Sequence, residues 1–323
     1  MMLPILTDPA QVQTLLNDEV YAVSFAQAYI ALCIAAYQTV PACIKKIPDV
    51  IAALPGLPGS HWRCSWGPAT DADGSNLALV ATALRESDNA PLFQVVVIRG
   101  TDKIDKHLKG HILGDIEQLY EDLGVMSQKS LPWLPPSACI AQGTADGLDV
   151  IQNLRWPNIL PNRTLEHYLA NTQIGPVQDR PPIVVTGHSL GGCLTSVVAP
   201  WLAWALPGTR VHAISFAGPS AGNQPFVAYL ASVIPTFRRY YNTLDVIPNW
   251  WATLGATNSI YSADGLDTPD LLIVADWLFN KLDPHYAQPV TGVPLSGEFT
   301  FGLDWRGEAA LQHHAQTYQS LLA

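Results

Sequence analysis

The sequence predicts an α/β fold, a mostly parallel central sheet covered by helices on both faces. Short runs rich in β-branched residues recur along the chain, and helical stretches alternate with them. The runs are apolar at consecutive positions rather than at every second one, as strands buried on both faces must be. At 323 residues, 48% hydrophobic and only 14% charged, the chain has ample apolar surface to bury. No repeat and no low-complexity linker divides it, so residues 1–323 are read as one domain. Seventeen Lys and Arg against 27 Asp and Glu leave a net charge of −10 with no basic block, which excludes nucleic acid as an expected partner.

The first expected helix is Gln11–Tyr37. Within it begins a charge-free stretch, Val20–Ile44, long enough to raise the question of a membrane span, which needs about 20 apolar residues. Ser24, Gln27, Gln38 and Thr39 interrupt it, and Val23, Ile30, Ile34 and Tyr37 make one helical stripe. A core-facing helix is therefore expected, and no transmembrane segment. Strands are expected at Leu77–Leu84, Phe93–Ile98, Ile183–Thr186, Arg210–Phe216 and Phe237–Asn242, and further helices at Leu190–Leu206, Gln224–Val233 and Glu308–Leu322. Two excursions interrupt this rhythm, residues 103–137 and residues 250–294, the second with an apolar helix near Leu271–Leu282. Long insertions on such a core usually lie over its active face. Cys33, Cys43, Cys64, Cys139 and Cys193 are odd in number and lack metal-ligand spacing; they read as free thiols, a Cys33–Cys43 bridge being the alternative. Residues 1–20 have no basic leader and carry Asp8, Asp18 and Glu19. No signal peptide is visible, so the compartment is read as cytoplasmic, or secreted after processing.

The chemistry concentrates where the apolar strand Ile183–Thr186 runs into Gly187-His188-Ser189-Leu190-Gly191-Gly192 and a small-residue helix runs out. A bare Gly-x-Ser-x-Gly is a weak signal. Its strand-turn-helix context makes it a nucleophile elbow, in which a sharp turn lifts the Ser189 hydroxyl clear of the sheet and aims a helix N-terminus at the reaction centre. The Leu190 N–H is thereby a candidate oxyanion donor. A serine needs a base and an orienting acid, expected in the order Ser, acid, His. Asp245 follows the strand Phe237–Asn242 and fits the acid; Asp264, Asp267, Asp270 and Asp276 are weaker candidates within the second excursion. Of the histidines that follow, His285 lies in a turn context, while His313 and His314 open the last helical stretch. Neighbours on a helix diverge by about 100°, so only one of the pair can reach Ser189, and the residues alone leave either open. Thr101, after the strand ending in Ile98-Arg99-Gly100, is the candidate second oxyanion donor.

These segments resemble the class 3 lipases, the fungal-type α/β-hydrolases. The resemblance rests on Arg99-Gly100-Thr101, the elbow Gly187–Gly192, Phe216-Ala217-Gly218-Pro219-Ser220-Ala221-Gly222-Asn223, Asn242-Thr243-Leu244-Asp245-Val246-Ile247-Pro248, and His313 with Tyr318 five residues on. It runs from about Leu77 to Tyr318. It implies Ser189, Asp245 and His313 as the triad, the Tyr spacing favouring His313 over His314, with Thr101 and Leu190 as oxyanion donors. The chain departs from the family at His107, where tryptophan is usual, at Ala141-Gln142-Gly143-Thr144, and at Ala217 and Ser220.

The resemblance implies hydrolysis of lipid carboxylic esters, as by a triacylglycerol lipase, through an acyl-enzyme and without metal or organic cofactor. The alternatives are a phospholipase, a short-chain carboxylesterase without interfacial preference and, from another class, a non-catalytic lipid-binding homologue. A lipid or small ester is the expected partner, a lipid–water interface a further one; oligomeric state is not read from the sequence. Residues 103–137 take the place of a lid, with the apolar stripe Leu108, Ile112, Ile116, Leu119 and Leu123 and with Gly110 and Gly114 as hinges, although a static packed helix is the stronger expectation. His188, Trp250 and Trp251 are the candidates for contact with substrate.

Overall fold

The computed structural model describes residues 2–38, 41–72, 74–100, 124–156, 163–282, 285–289 and 292–323. Thr101 and the expected lid stripe from Leu108 to Leu123 lie outside the described residues.

Among the described residues the sheet has seven strands in the order β1-β2-β3-β6-β7-β8-β9. β1 (Ser60–Thr70), β2 (Leu77–Arg85) and β3 (Pro91–Ile98) pair antiparallel. From β3 onward every pairing is parallel, through β6 (Ile183–His188), β7 (Val211–Phe216), β8 (Arg238–Asn242) and β9 (Gly292–Leu295). The short strands β4 (Gln128–Lys129) and β5 (Ile140–Ala141) form a separate pair. The expected strands are present within one or two residues at most ends. β1 and β9 are additions, and β9 falls at the end of the second excursion.

The pleat sorts the apolar runs into two cores. Leu77, Leu79, Ala81 and Ala83, with Phe93, Val95 and Val97, face one side, packed beneath residues of α1 (Pro9–Asn17), α2 (Ala22–Ala36), α4 (Ile47–Ala53) and α11 (Ala315–Leu321). Their neighbours Ala78, Val80, Val96 and Ile98 face the other side, beneath α5 (Gln142–Asn153), α6 (Leu165–Thr172), α7 (Leu190–Ala205) and α8 (Gln224–Val233). Alternation along each strand thus feeds both layers, the condition for consecutive apolar residues in a covered sheet. Of the remaining helices, α3 (Pro41–Ile44) is one turn before α4. The helix α9 (Asp270–Leu282) belongs to the second excursion, and α10 (Trp305–His313) precedes α11.

Two expected helices are broken by polar residues that cap new segments. Asp18 is extended (φ −91°, ψ 119°), and its carboxylate accepts from the Val20 N–H, so Gln11–Tyr37 divides into α1 and α2. Asp competes for backbone donors in this way and favours caps over helix interiors. Val23 proves exposed, and the buried face of α2 is instead Phe25, Ala26, Tyr29, Ile30, Leu32, Cys33 and Ala36. Glu19–Ala36 is, by length and a mean hydropathy of 1.5, apolar enough to cross a membrane, and half of it is buried inside the fold. At the other end of the chain His314 is extended (φ −66°, ψ 136°), so that His313 closes α10 rather than opening the last helix. All five cysteines are free thiols.

Candidate active site

Ser189 sits between β6 and α7 with φ 62° and ψ −129°. A non-glycine residue in the left-handed region costs about 1–3 kcal/mol and persists only where its surroundings dictate it. They do so here by close approach: a Cβ on Gly191 would lie 2.2 Å from the Ile98 carbonyl oxygen. Only glycine lets α7 start flush against the end of β3. The turn is held by the Ser189 N–H donating to the Phe216 carbonyl at 3.0 Å. Leu190 is the first residue of α7, directly after Ser189, so its N–H is among those at the helix start that have no intrahelical acceptor.

Asp245 follows β8, and its backbone N–H returns to the Asn242 carbonyl at 3.0 Å. Its buried carboxylate gathers three donors: the Ile247 N–H at 2.9 Å on Oδ1, and on Oδ2 the Tyr318 hydroxyl at 2.7 Å and the His313 Nδ1–H at 2.8 Å. With Nδ1 committed to the carboxylate, Nε2 carries the lone pair, and the Ser189 hydroxyl donates to it at 2.9 Å. Three residues separated by up to 124 positions are thus connected in one line, all nearly inaccessible to water. His314 turns away and bonds Gln316 instead.

Further residues support the line, and sequence reasoning gave none of them a role in it. Burial and the adjacent Asp245 push the Tyr318 hydroxyl well above its ordinary pKa, so it remains a donor. It also accepts from the Asn242 N–H at 3.0 Å. The Asn242 amide donates to both Gln312 oxygens, at 2.9 Å to the carbonyl and 2.6 Å to Oε1. Gln312 in turn donates to the Glu308 carboxylate at 2.7 Å, and Glu308 is fully buried. The sequence signals were the interval from His313 to Tyr318 and the place of Asn242 three residues before Asp245; Gln312 and Glu308 carried none, their contacts with Asn242 and with each other being made only in the fold.

Trp250 and Trp251 are buried, in a third apolar cluster with Ile247, Leu254, Leu272, Phe279 and Trp305, and Leu190 packs at its border. Ser220 pins this segment: its hydroxyl donates to the Trp250 carbonyl at 2.9 Å and accepts from the Ala252 N–H at 3.0 Å. His188 is also buried, with its ring 4.9 Å from that of His313. His285, Asp264, Asp267, Asp270 and Asp276 take no part in the hydrogen bonds of Ser189, His313 and Asp245. Among the described residues no group of three or more His, Cys, Asp or Glu side chains could hold a metal ion.

Residues 135–254 match the family model described as Lipase (class 3). Among solved structures, M37 lipase superposes with a TM-score of 0.75 at 24% identity, covering 93% of this chain and 91% of its own, which shows the fold. A triacylglycerol lipase from Penicillium expansum (TM-score 0.47, 15% identity, 90% and 82% covered) and a triacylglyceride lipase of Rhizomucor miehei (0.45, 20%, 72% and 75%) are also similar. No curated protein sequence matches. The matched segment includes the Ser189 elbow and Asp245; over it the chain is similar to the class 3 lipases, and its fold is that of M37 lipase.

Proposed function

We propose that the protein hydrolyses carboxylic esters of lipids through an acyl-enzyme on Ser189, as a triacylglycerol lipase does. The observation that carries this reading is the hydrogen-bonded line from Ser189 Oγ through His313 to Asp245. His313 takes the hydroxyl proton as Oγ attacks the ester carbonyl, Asp245 holds the imidazole tautomer, and His313 then gives the proton to the departing alcohol. Water, activated by the same imidazole, attacks the acyl-enzyme and restores Ser189. The Leu190 N–H, at the N-terminus of α7, stabilises the tetrahedral oxyanion. Thr101 is the proposed second donor; one such donor is typically worth about 10²–10³ in kcat. No metal is needed for these steps.

The buried tryptophans suit a wall for acyl chains, since the residue that starts α7 borders their cluster. Residues 1–323 are proposed as one domain, with residues 103–137 as the lid segment and residues 250–294 as the acyl-side excursion. Ser189→Ala is expected to lower kcat on a soluble p-nitrophenyl ester by at least about 10⁴-fold. Unchanged turnover would sink the assignment of Ser189 as nucleophile, and native protein with no turnover above the uncatalysed rate would leave the non-catalytic homologue. Rates on short to long acyl esters, below and above the concentration at which each aggregates, separate a lipase (a jump at aggregation) from an esterase (smooth saturation), and glycerophospholipid substrates test the phospholipase alternative.

A further inference from the structure

His188 stands beside the nucleophile, yet its ring does not take part in the line from Ser189 to Asp245. It is the last residue of β6 and only 3% exposed. Three aromatic rings enclose it: His313 at 4.9 Å with a 40° tilt, Tyr318 edge-on at 5.5 Å and Tyr37 edge-on at 5.7 Å. The Tyr37 hydroxyl lies 2.8 Å from Nδ1 and 3.2 Å from the His188 carbonyl oxygen, so both ends of the residue are held by one group. Room for that hydroxyl depends on Gly100, where a Cβ would lie 2.6 Å from it. Burial first, and the neighbouring His313 second, hold the His188 imidazole neutral, its pKa well below the ordinary histidine value. Nε2 is buried and, among the described residues, meets no partner in hydrogen-bonding geometry. A buried polar atom left unsatisfied costs about 1–3 kcal/mol, so the ring is kept in this place at a cost to stability.

We propose that His188 is a positioning residue for the reaction: fixed by the Tyr37 hydroxyl, its neutral ring braces one face of His313 and keeps the imidazole aligned between Ser189 and Asp245. The inference rests on the reading of His313 as the base. The hydrogen bonds to Asp245 and Ser189 hold the two ring nitrogens of His313 at their edges, whereas His188 packs against the ring itself. Tyr318 meets the carboxylate end of the line, and His188 meets the imidazole face. The brace also links the site to the N-terminal region, since Tyr37 ends α2, 151 residues from its partner. Misplacement by about 1 Å of a reacting group can cost 10²-fold in rate without altering substrate binding.

A double-mutant cycle tests this, with kcat and KM measured separately on a soluble short-chain p-nitrophenyl ester and thermal unfolding followed on each variant. His188→Asn keeps a polar group within reach of Tyr37 but removes the ring; it is expected to lower kcat by about 10- to 100-fold with KM changed by less than about twofold. Tyr37→Phe removes only the hydroxyl, and should lower kcat by about 3- to 10-fold in the native background and by nothing in the His188→Asn background, because it acts through His188. Additive losses, native kcat in His188→Asn, or a rise in KM in place of the fall in kcat would overturn the proposal. Ser189→Ala is assayed alongside: retained turnover there refutes the nucleophile assignment, whatever the His188 cycle reports.

Discussion

Tyr318 concentrates the residue-scale logic of the site. Its hydroxyl is the second donor on the Asp245 oxygen that also receives His313, and the acceptor for the buried Asn242 N–H. Tyr318→Phe retains the ring and removes both bonds. The stranded N–H is expected to cost about 1–3 kcal/mol of stability, and the loss of a carboxylate partner to lower kcat roughly tenfold with KM little changed. Urea unfolding and steady-state kinetics on one preparation check both; a stability loss with native kcat would limit Tyr318 to a structural part. Ser189, Asp245 and His313 were legible as candidates because each lies in a local pattern: a strand running into a glycine turn, an acid just past a strand, a histidine at a fixed interval from a tyrosine. Residue patterns alone left His313 and His314 equivalent. The structure separates them because the chain becomes extended at His314, which ends α10 with His313 pointing inward. Tyr37, Glu308 and Gln312 carried no such pattern, their contacts being set by where distant helices end.

At the scale of elements, the inner strands were readable from their β-branched composition, while both outer strands were not. β1 contains Gly67-Pro68 and two register shifts against β2, and β9 contains Pro294. Proline signals a turn in sequence, and in a sheet it is tolerated at the edge, which is where both strands lie. The break at Asp18 was likewise hidden by the continuous apolar pattern around it. Connections between elements rest on side chains such as Asn223, which caps α8 by accepting from the Phe226 N–H at 3.1 Å and also holds β5 by accepting from the Cys139 N–H at 3.0 Å and donating to the Ser137 carbonyl at 2.9 Å. Asn223→Ala is expected to cost about 2 kcal/mol, the loss of an N-cap together with an unpaired strand-end donor. The fall in urea midpoint at constant m-value measures it, and a change within 0.5 kcal/mol would show that water replaces the amide at little cost.

For the whole molecule, the N-terminal helices are fastened to the sheet by buried polar groups, and this makes stability depend on pH. His212, in β7, lies between the Thr236 hydroxyl at 2.8 Å and the Gln13 amide oxygen at 2.9 Å. Beside it Arg238 donates to the Leu16 carbonyl at 3.2 Å and pairs with Glu19 at 2.8 Å. Burial, and then the charges of Arg238 and Arg210, lower the His212 pKa from 6.5 to about 4. The folded chain therefore binds fewer protons than the unfolded chain between these values. Stability from this group is complete above about pH 6.5 and declines as pH falls toward 4, by at most about 3 kcal/mol at 1.36 kcal/mol per unit. Asp88, whose carboxylate is held down at about 2 by Arg85, loses its share only at lower pH, so its window does not overlap. His188, also kept neutral by burial, contributes in the same direction as His212. The expected outcome is a melting temperature that falls between pH 7 and 4.5, with a shallower fall in His212→Asn than in the native chain. His188 is present in both proteins and cancels from the comparison. Parallel profiles for the two would mean that His212 takes up its proton without loosening the contact of α1 with the sheet, and that the acid sensitivity arises elsewhere.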